Sequence, residues 1–289
     1  MIVAVTGASG FLGRPLCARL LRGGHEVRAL VRDPEGFART MPAVRVGRCV
    51  LPDEIDEALL RGADVVVHAA WATRETDQRR ARRVNEDGTR RLFEVAQRCG
   101  VPRVVFVSTV AAAADAPSFY ARSKYAMEAL CDPQRDLVLR PGLILAREGT
   151  GLFQQLARAA RVFHVVPLFG GGRQPLQTVH VDDLCEGIVR ALERKLAGAL
   201  NCAEPHPLDV RAFFRAMTRQ LGIRAVFVPL PFGPVLLLLR LAEALRVPLP
   251  LRAESLRGLA GLRQVPVADD LRRLELRVRS AAESLADLA

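Results

Sequence analysis

The chain has 289 residues, half of them hydrophobic and a quarter charged, which is the composition of a globular protein with one large or two closely joined domains. This composition excludes a chain that is intrinsically disordered throughout. The formal net charge is +11, but the basic residues, nearly all of them arginine, are spread along the whole chain, which argues against a nucleic-acid partner.

The first half of the chain alternates apolar, β-branched runs with segments of helical spacing. Strands are predicted at 2–6, 26–31, 44–50, 64–69, 103–108 and 136–140, and helices at 11–22, 53–60, 77–98 and 120–130. Strands and helices that alternate in this way form right-handed βαβ units with a parallel sheet between two helical layers. We therefore predict an α/β fold with a doubly wound parallel (Rossmann) sheet in residues 1–145.

The alternation becomes irregular after residue 145. Residues 146–289 are expected to form a smaller mixed α/β C-terminal region that binds substrate over the strand ends, with segments near 176–203 returning to the first domain. The most apolar stretch, 226–245, contains three prolines and Arg240, so it predicts a buried helix with a lead-in strand rather than a membrane span. A contact with a membrane surface stays open.

Cysteine usage and the start of the chain predict a cytoplasmic protein. None of the six cysteines has C-x-x-C spacing or lies in a Cys/His cluster, so neither a metal site nor a disulfide framework is expected. Residues 1–6 run straight into a glycine-rich turn, which leaves no signal peptide.

That turn has the pattern G-x-x-G-x-x-G at the junction of the first strand and the first helix. Glycines there permit a tight turn, a close approach of backbone to a pyrophosphate, and close packing of helix on strand. The helix N-terminus offers free N–H groups to the phosphates. The turn predicts that a dinucleotide is held by Gly7, Ser9, Gly10, Phe11, Leu12 and Gly13.

The end of the second strand determines which dinucleotide is preferred. A carboxylate there favours the ribose 2′-hydroxyl of NAD, and an arginine accommodates the 2′-phosphate of NADP. Here Arg32 is followed at once by Asp33, which could oppose it, and Arg14 could assist from the first helix. The sequence favours NADP(H) over NAD(H).

Tyr120 and Lys124 are four residues apart and share one face of a predicted helix. The pKa of a free tyrosine is about 10, and a neighbouring ammonium lowers it. Tyr120 is then expected to exchange a proton with a substrate oxygen. A hydroxyl from Ser108 or Thr109, at the end of the preceding strand, could bind the same oxygen.

Together these residues resemble the extended branch of the short-chain dehydrogenase/reductase superfamily, the NAD-dependent epimerase/dehydratase-like group. The resemblance covers most of the chain, and its further motifs are His68-Ala69-Ala70, residues 85–89, Arg140-Pro141-Gly142 and residues 180–183. It implies that Thr109 completes a catalytic triad with Tyr120 and Lys124, with Ser108 in reserve. It also implies that the cofactor is lined by His68, Ala69, Ala70, Ser108, Tyr120, Lys124, Pro141 and Gly142. His180 is expected to be structural, and Asn85 either structural or a positioning residue.

The sequence also departs from the family pattern. Gly47-Arg48-Cys49 replaces an Asp that contacts adenine, so that contact is absent or comes from Asp53. Gly142-Leu143-Ile144 lacks the Asn of members that act on nucleotide sugars, and the second half is unusually apolar. The missing Asn and the apolar second half favour an apolar ketone, aldehyde or alcohol as substrate over a sugar nucleotide. Trp71, the single tryptophan, either forms a pocket wall or fills the core.

The leading hypothesis is therefore an NAD(P)-dependent oxidoreductase that moves a hydride to or from an apolar substrate, with Tyr120 as acid or base. One alternative is a nucleotide-sugar epimerase or dehydratase with tightly bound NAD. The other is a non-catalytic dinucleotide-binding scaffold. The resemblance also implies a homodimer through helices that flank the sheet, and a monomer stays open.

Overall fold

The computed structural model describes residues 1–73, 75, 77–147, 152–245, 247 and 252–288. The strands are β1 (Ile2–Thr6), β2 (Glu26–Val31), β3 (Arg45–Val50), β4 (Glu54–Ile55), β5 (Val65–His68), β6 (Val104–Val107), β7 (Leu137–Pro141), β8 (Leu143–Leu145), β9 (Val165–Phe169), β10 (Pro175–Leu176), β11 (Thr178–His180), β12 (Gly198–Cys202), β13 (Leu208–Asp209) and β14 (Val226–Leu230).

The α-helices are α1 (Gly13–Arg22), α2 (Pro34–Thr40), α3 (Gln78–Arg82), α4 (Gly88–Arg98), α5 (Phe119–Glu128), α6 (Leu152–Phe163), α7 (Val181–Glu193), α8 (Val210–Gln220), α9 (Phe232–Ala244), α10 (Ala253–Ala260), α11 (Ala268–Leu274) and α12 (Ala281–Asp287). A π-helical segment, Arg83–Asp87, joins α3 to α4. The predicted helix at 77–98 is therefore continuous but not regular.

The central sheet has eight strands in the order β12-β7-β6-β5-β1-β2-β3-β4, and all but β4 are parallel. Strands β5 and β6 are buried along their whole length, as expected for strands covered by helices on both faces. The predicted doubly wound parallel sheet is confirmed. Strand order reverses between β1 and β5, and ligands of such sheets bind in the crevice beyond the strand ends at this point.

Two local predictions were wrong. The short helix predicted at 53–60 is the strand β4, antiparallel to β3, followed by one 3₁₀ turn at Glu57–Leu59. The edge of β3 offers unpaired backbone groups, and pairing with Glu54 and Ile55 satisfies them. The stretch 226–245 does form a lead-in strand and a helix, but the helix α9 buries only Leu239 and Ala242.

The C-terminal half packs its own apolar cluster beside the large sheet. Val166 and Leu168 of β9 meet Phe213 and Met217 of α8 and Leu285 of α12. A second small cluster joins α9 to α10 around Leu239 and Leu256. Among the described residues, no helix combines the length and apolar character needed to cross a membrane.

Candidate active site

The glycine turn after β1 lies directly against the loop after β5. Gly7 has φ +69°, and a Cβ on Gly7 would lie 2.7 Å from the Cα of Ala70. A Cβ on Gly13 would lie 2.1 Å from the carbonyl oxygen of Gly7. These contacts explain why side chains are excluded here. The cap residue of α1, Leu12, makes no side-chain hydrogen bond to the start of the helix. The turn closes on its own backbone, because the N–H of Gly10 donates to the carbonyl oxygen of Gly7 and that of Arg14 donates to the carbonyl oxygen of Gly10.

The other residues of the turn divide between the crevice and the core. Ser9 lines a cleft of about 450 Å³ together with residues of α1, of α2 and of the junction between β2 and α2. Leu12 is buried in the main core, and Phe11 packs against that core. Their side chains fix the turn, so a role in cofactor binding rests on their backbone.

This cleft contains the residues predicted to select the cofactor. It is lined by Ser9, Arg14, Arg32, Asp33, Gly36 and Phe37. Arg32 is exposed, and the guanidinium of Arg14 lies 5.3 Å from the ring centroid of Phe37. Asp33 caps helix α2 by accepting a hydrogen bond of 3.0 Å from the backbone N–H of Gly36. The carboxylate is thus engaged locally, and two arginines flank the cleft.

His68 occupies the core rather than the crevice. Its Nδ1 lies 2.7 Å from the Thr6 hydroxyl and its Nε2 lies 2.9 Å from the Thr89 hydroxyl. Burial, assisted by the charge of Lys124, lowers the pKa of His68 to about 3, so the ring is neutral at physiological pH. The side chain ties together β1, β5 and α4. Of the His68-Ala69-Ala70 motif, the backbone of Ala69 and Ala70 is the part that meets the glycine turn.

Asn85, which lies in the π-helical segment, positions the next stretch of this loop. Its buried side-chain oxygen accepts a hydrogen bond of 2.7 Å from the backbone N–H of Ala72. The preceding residue, Trp71, meets Tyr120 edge-on with 6.3 Å between ring centroids, and lies 6.2 Å from Phe106 of the core. Trp71 therefore both packs on the core and forms a wall beside Tyr120, the candidate catalytic residue.

Thr109 follows β6, and Tyr120 and Lys124 lie on α5. Ser118 caps α5, and Tyr120 lies in the first turn of that helix. The Thr109 hydroxyl lies close enough to the Tyr120 phenol to influence its pKa. Lys124 is buried, and its Nζ donates a hydrogen bond of 2.6 Å to the carbonyl oxygen of Val107.

The electrostatics of this group differ from the expectation. Burial raises the pKa of Tyr120 to about 12, and only the Thr109 hydroxyl opposes this effect. Burial also lowers the pKa of Lys124 well below 10.5, although Glu128 opposes it. The Lys124 ammonium faces the Trp71 ring, 3.8 Å from its centroid. The expected lowering of the Tyr120 pKa by Lys124 is wrong for this arrangement, because the cation is directed to a carbonyl and two aromatic rings.

Ser108 is turned away from Tyr120. Its hydroxyl donates a hydrogen bond of 2.5 Å to Glu128, whose carboxylate also forms an ion pair with Arg140. The reserve assignment of Ser108 to the triad is therefore not supported by the geometry, and the residue belongs to a structural network behind the site. Sequence reasoning missed Glu128, although it lies four residues after Lys124 on the same helix.

The remaining predicted residues lie at strand ends. A Cβ on Gly142 would lie 2.6 Å from the carbonyl oxygen of Gln177, so the junction between β7 and β8 passes closely beside the residue that precedes β11. His180 caps α7 by accepting from the backbone N–H of Asp182, in agreement with a structural role. Asp53 pairs with Arg83 at 2.5 Å.

Glu254 of α10, which carried no sequence signal, accepts a hydrogen bond from the backbone N–H of Tyr120 at 3.1 Å.

Comparison with known proteins agrees with this architecture. Residues 3–203 match the model of the NAD dependent epimerase/dehydratase family. The chain belongs to this family. It is an enzyme of the extended short-chain dehydrogenase/reductase type, an oxidoreductase or epimerase that uses NAD or NADP.

The chain is similar to two named bacterial reductases and to a human protein of known structure. A ketoreductase of Stigmatella aurantiaca that acts on a farnesyl dihydroquinoline oxide is 32% identical, with 94% of this chain and 90% of that protein covered. Ceramide reductase of Caulobacter vibrioides is 34% identical over 70% of this chain and 64% of that protein. A human epimerase family protein, solved with NADPH, is 21% identical with a TM-score of 0.74, and the match covers 100% of this chain and 99% of that one.

Proposed function

We propose that the protein is an NADPH-dependent reductase of an apolar ketone or aldehyde. The proximity of Thr109, which follows β6, to Tyr120 in the first turn of α5 carries this proposal. The apolar character of the substrates named for the ketoreductase and the ceramide reductase supports the choice of substrate.

The chain's own residues have separate tasks. The turn from Gly7 to Gly13 holds the pyrophosphate, and NADPH supplies the hydride when it is bound. Thr109 holds the substrate oxygen in line with Tyr120. Tyr120 is the acid that gives its phenolic proton to that oxygen, and its raised pKa keeps the proton in place at neutral pH. Trp71 excludes water from one side of the phenol.

The preference for NADPH is part of the proposal. Arg14 and Arg32 flank the cleft beyond β2, where guanidinium groups can form charge-assisted hydrogen bonds with a 2′-phosphate. Asp33, the residue that would favour the 2′-hydroxyl of NADH, already accepts a hydrogen bond from Gly36. That bond engages Oδ1 alone, so the two arginines provide the support for NADPH.

The division of labour along the chain stays a proposal as well. Residues 1–145, with the returning β12, are assigned to the cofactor and residues 146–289 to the substrate. The homodimer is an expectation that analytical ultracentrifugation tests. The cytoplasmic location is an expectation that cell fractionation tests.

Titration of the purified, cofactor-stripped protein with NADPH and NADH, followed by fluorescence, tests the cofactor. We expect tighter binding of NADPH, and Arg32→Gln should weaken NADPH binding by about tenfold or more while NADH binding is unchanged. Asp33→Asn is the control and should keep the preference. Equal binding, or NAD that resists stripping, would favour the epimerase alternative.

A screen of apolar ketones and aldehydes, with NADPH consumption as the readout, tests the reaction. Tyr120→Phe should bind NADPH as the wild type does and lose turnover by about a hundredfold or more. Turnover that survives in Tyr120→Phe would contradict the assignment of the acid. A protein that binds NADPH but reduces no member of the screen and releases the cofactor unchanged would favour the scaffold.

A further inference from the structure

Helix α9 carries a row of exposed leucines. The exposed fractions are 59% for Leu237, 61% for Leu238, 54% for Leu241 and 75% for Leu245, which directly follows the helix. Their spacing places them on one face, which we call the leucine ridge. Large apolar patches of this kind on a folded chain mark interaction surfaces.

The ridge is held in place by the opposite face of the helix. Leu239 is buried against Phe169 and Leu256, and Val235 and Leu236 pack on the same cluster. The helix is therefore anchored to the C-terminal half without the ridge, so the fold itself does not require apolar residues at the exposed positions.

The surrounding segments are strongly basic. Residues 152–176 and 210–245 contain eight arginines and one acidic residue, Glu243. These segments pack together through the pairing of β9 with β14 and through α8. Glu243 accepts a hydrogen bond of 3.0 Å from the backbone N–H of Ala253, whereas Arg240 is exposed on the flank of the ridge.

The charge identifies the occupant of the ridge. A symmetric contact between two copies would bring the same basic segments together, and like charges oppose such an interface. An anionic bilayer has the complementary charge, and an amphipathic helix with apolar and basic residues inserts at its interface. We propose that the leucine ridge docks the protein on an anionic phospholipid membrane, with Arg240 at the headgroups.

The ridge is also close to the candidate site along the fold. Helix α9 packs on α10, and Glu254 of α10 accepts the hydrogen bond from the backbone N–H of Tyr120. If the proposed function holds, a docked enzyme takes its apolar substrate from the bilayer. The docking itself does not depend on the reaction.

Cosedimentation with vesicles tests the proposal. Wild-type protein should sediment with vesicles of phosphatidylcholine and phosphatidylglycerol, and less with phosphatidylcholine alone or at high salt. The double variant Leu237→Ser/Leu241→Ser should bind the anionic vesicles about tenfold more weakly or worse. Val226→Ser, which alters an exposed apolar residue outside the ridge, should bind as the wild type does.

Two arginine substitutions test the contribution of charge to vesicle binding. Arg240→Gln should weaken binding to the anionic vesicles, whereas Arg90→Gln, an equal loss of charge on an exposed residue of α4, should not. NADPH titration of each variant verifies that it is folded, and keeps a failure of docking distinct from a failure of the proposed reaction.

Three results would overturn the proposal. The first is wild-type protein that does not sediment with anionic vesicles. The second is a loss in Val226→Ser as large as that in the ridge variant. The third is a concentration-dependent dimer that the ridge substitutions abolish without any vesicle binding, because a second copy would then occupy the ridge.

Discussion

Lys124 is a buried cation held by a carbonyl and aromatic faces. Its Nζ lies 3.8 Å from the ring centroid of Trp71 and 4.6 Å from that of Phe106, and donates to the Val107 carbonyl. Cation–π contact stabilises the charged form, but burial lowers the pKa of Lys124 well below 10.5. Trp71 is the single tryptophan, so its fluorescence reports on this charge.

We predict that Trp71 fluorescence changes as pH rises, with a midpoint well below 10.5. Below that midpoint the ammonium is charged and perturbs the indole; above it the amine is neutral and the perturbation ends. Lys124→Met should abolish the transition. Lys195, the other lysine, is exposed, and Lys195→Met should leave the transition unchanged. An identical transition in Lys124→Met would show that another group causes it.

Ser108 and Thr109 are adjacent hydroxyls with different tasks. Thr109→Val removes the hydroxyl beside Tyr120 and should lower kcat for any substrate found in the screen by about tenfold or more. Ser108→Ala removes the bond to Glu128 and should cost about 1 kcal/mol in the free energy of unfolding with little change in kcat. Steady-state kinetics and urea unfolding on both variants separate the two effects. Equal losses of kcat would contradict the assignment.

Among single residues, the helix spacing predicts Tyr120 and Lys124 together, and the strand end predicts a hydroxyl from Ser108 or Thr109, of which only the family resemblance selects Thr109. The sequence could not predict the pKa values, because these depend on burial and on the rings that surround Lys124. It left both hydroxyls open for the same reason: the partner of Ser108, Glu128, is twenty residues away in sequence.

Among the local elements, the start of α1 is the most constrained. A Cβ on Gly13 would lie 2.1 Å from a backbone oxygen and 2.6 Å from the Cα of Ala8, and neither atom can move without breaking the turn. Gly13→Ala should therefore cost about 3 kcal/mol in the free energy of unfolding and weaken NADPH binding.

Gly258 provides a matched control for this substitution. It lies in α10, and nothing lies within 4 Å of a Cβ built on it. Gly258→Ala should raise the free energy of unfolding by about 1 kcal/mol or less, because alanine has the higher helix propensity. Thermal unfolding with and without NADPH measures both variants. A Gly13→Ala protein as stable as the wild type would contradict the close packing.

The elements also differ in how far sequence determines them. The predicted bounds of β1 and β2 agree with the structure because β1 is an apolar run and β2 is mostly apolar, and each ends at a turn or helix signal. Helix α9 has leucines around most of its circumference and only two charged residues, Arg240 and Glu243, so its pattern could not indicate which face meets the core. Only the packing of Leu239 on Phe169 decides that the ridge faces outward.

Across the whole molecule, the alternation of strands and helices predicts the parallel sheet, but not the polar contacts that fasten the C-terminal segment. The buried carboxylate of Glu204 accepts hydrogen bonds from Thr178 and from the backbone N–H of Ala281. Burial raises the pKa of Glu204 against these bonds. Such pairs join residues far apart in sequence and leave no periodic signal.

An ion pair with hydrogen bonds joins Arg279 of the C-terminal segment to Asp183 of α7. The carboxylate accepts from the backbone N–H of Arg279 at 2.9 Å and from its guanidinium at 2.7 Å, and Asp183 is nearly buried. Asp183→Ala would leave both donors without this partner, so we expect a loss of about 3 kcal/mol in the free energy of unfolding.

Asp287 pairs with the same guanidinium at 2.5 Å but is half exposed, so solvent screens the pair. Asp287→Ala should cost less than about 1 kcal/mol. Urea unfolding of the two variants compares a buried and an exposed carboxylate on one arginine. If both substitutions cost the same, the C-terminal segment would be held by its apolar contacts, Leu285 and Leu288 among them, and the ion pair would only orient it.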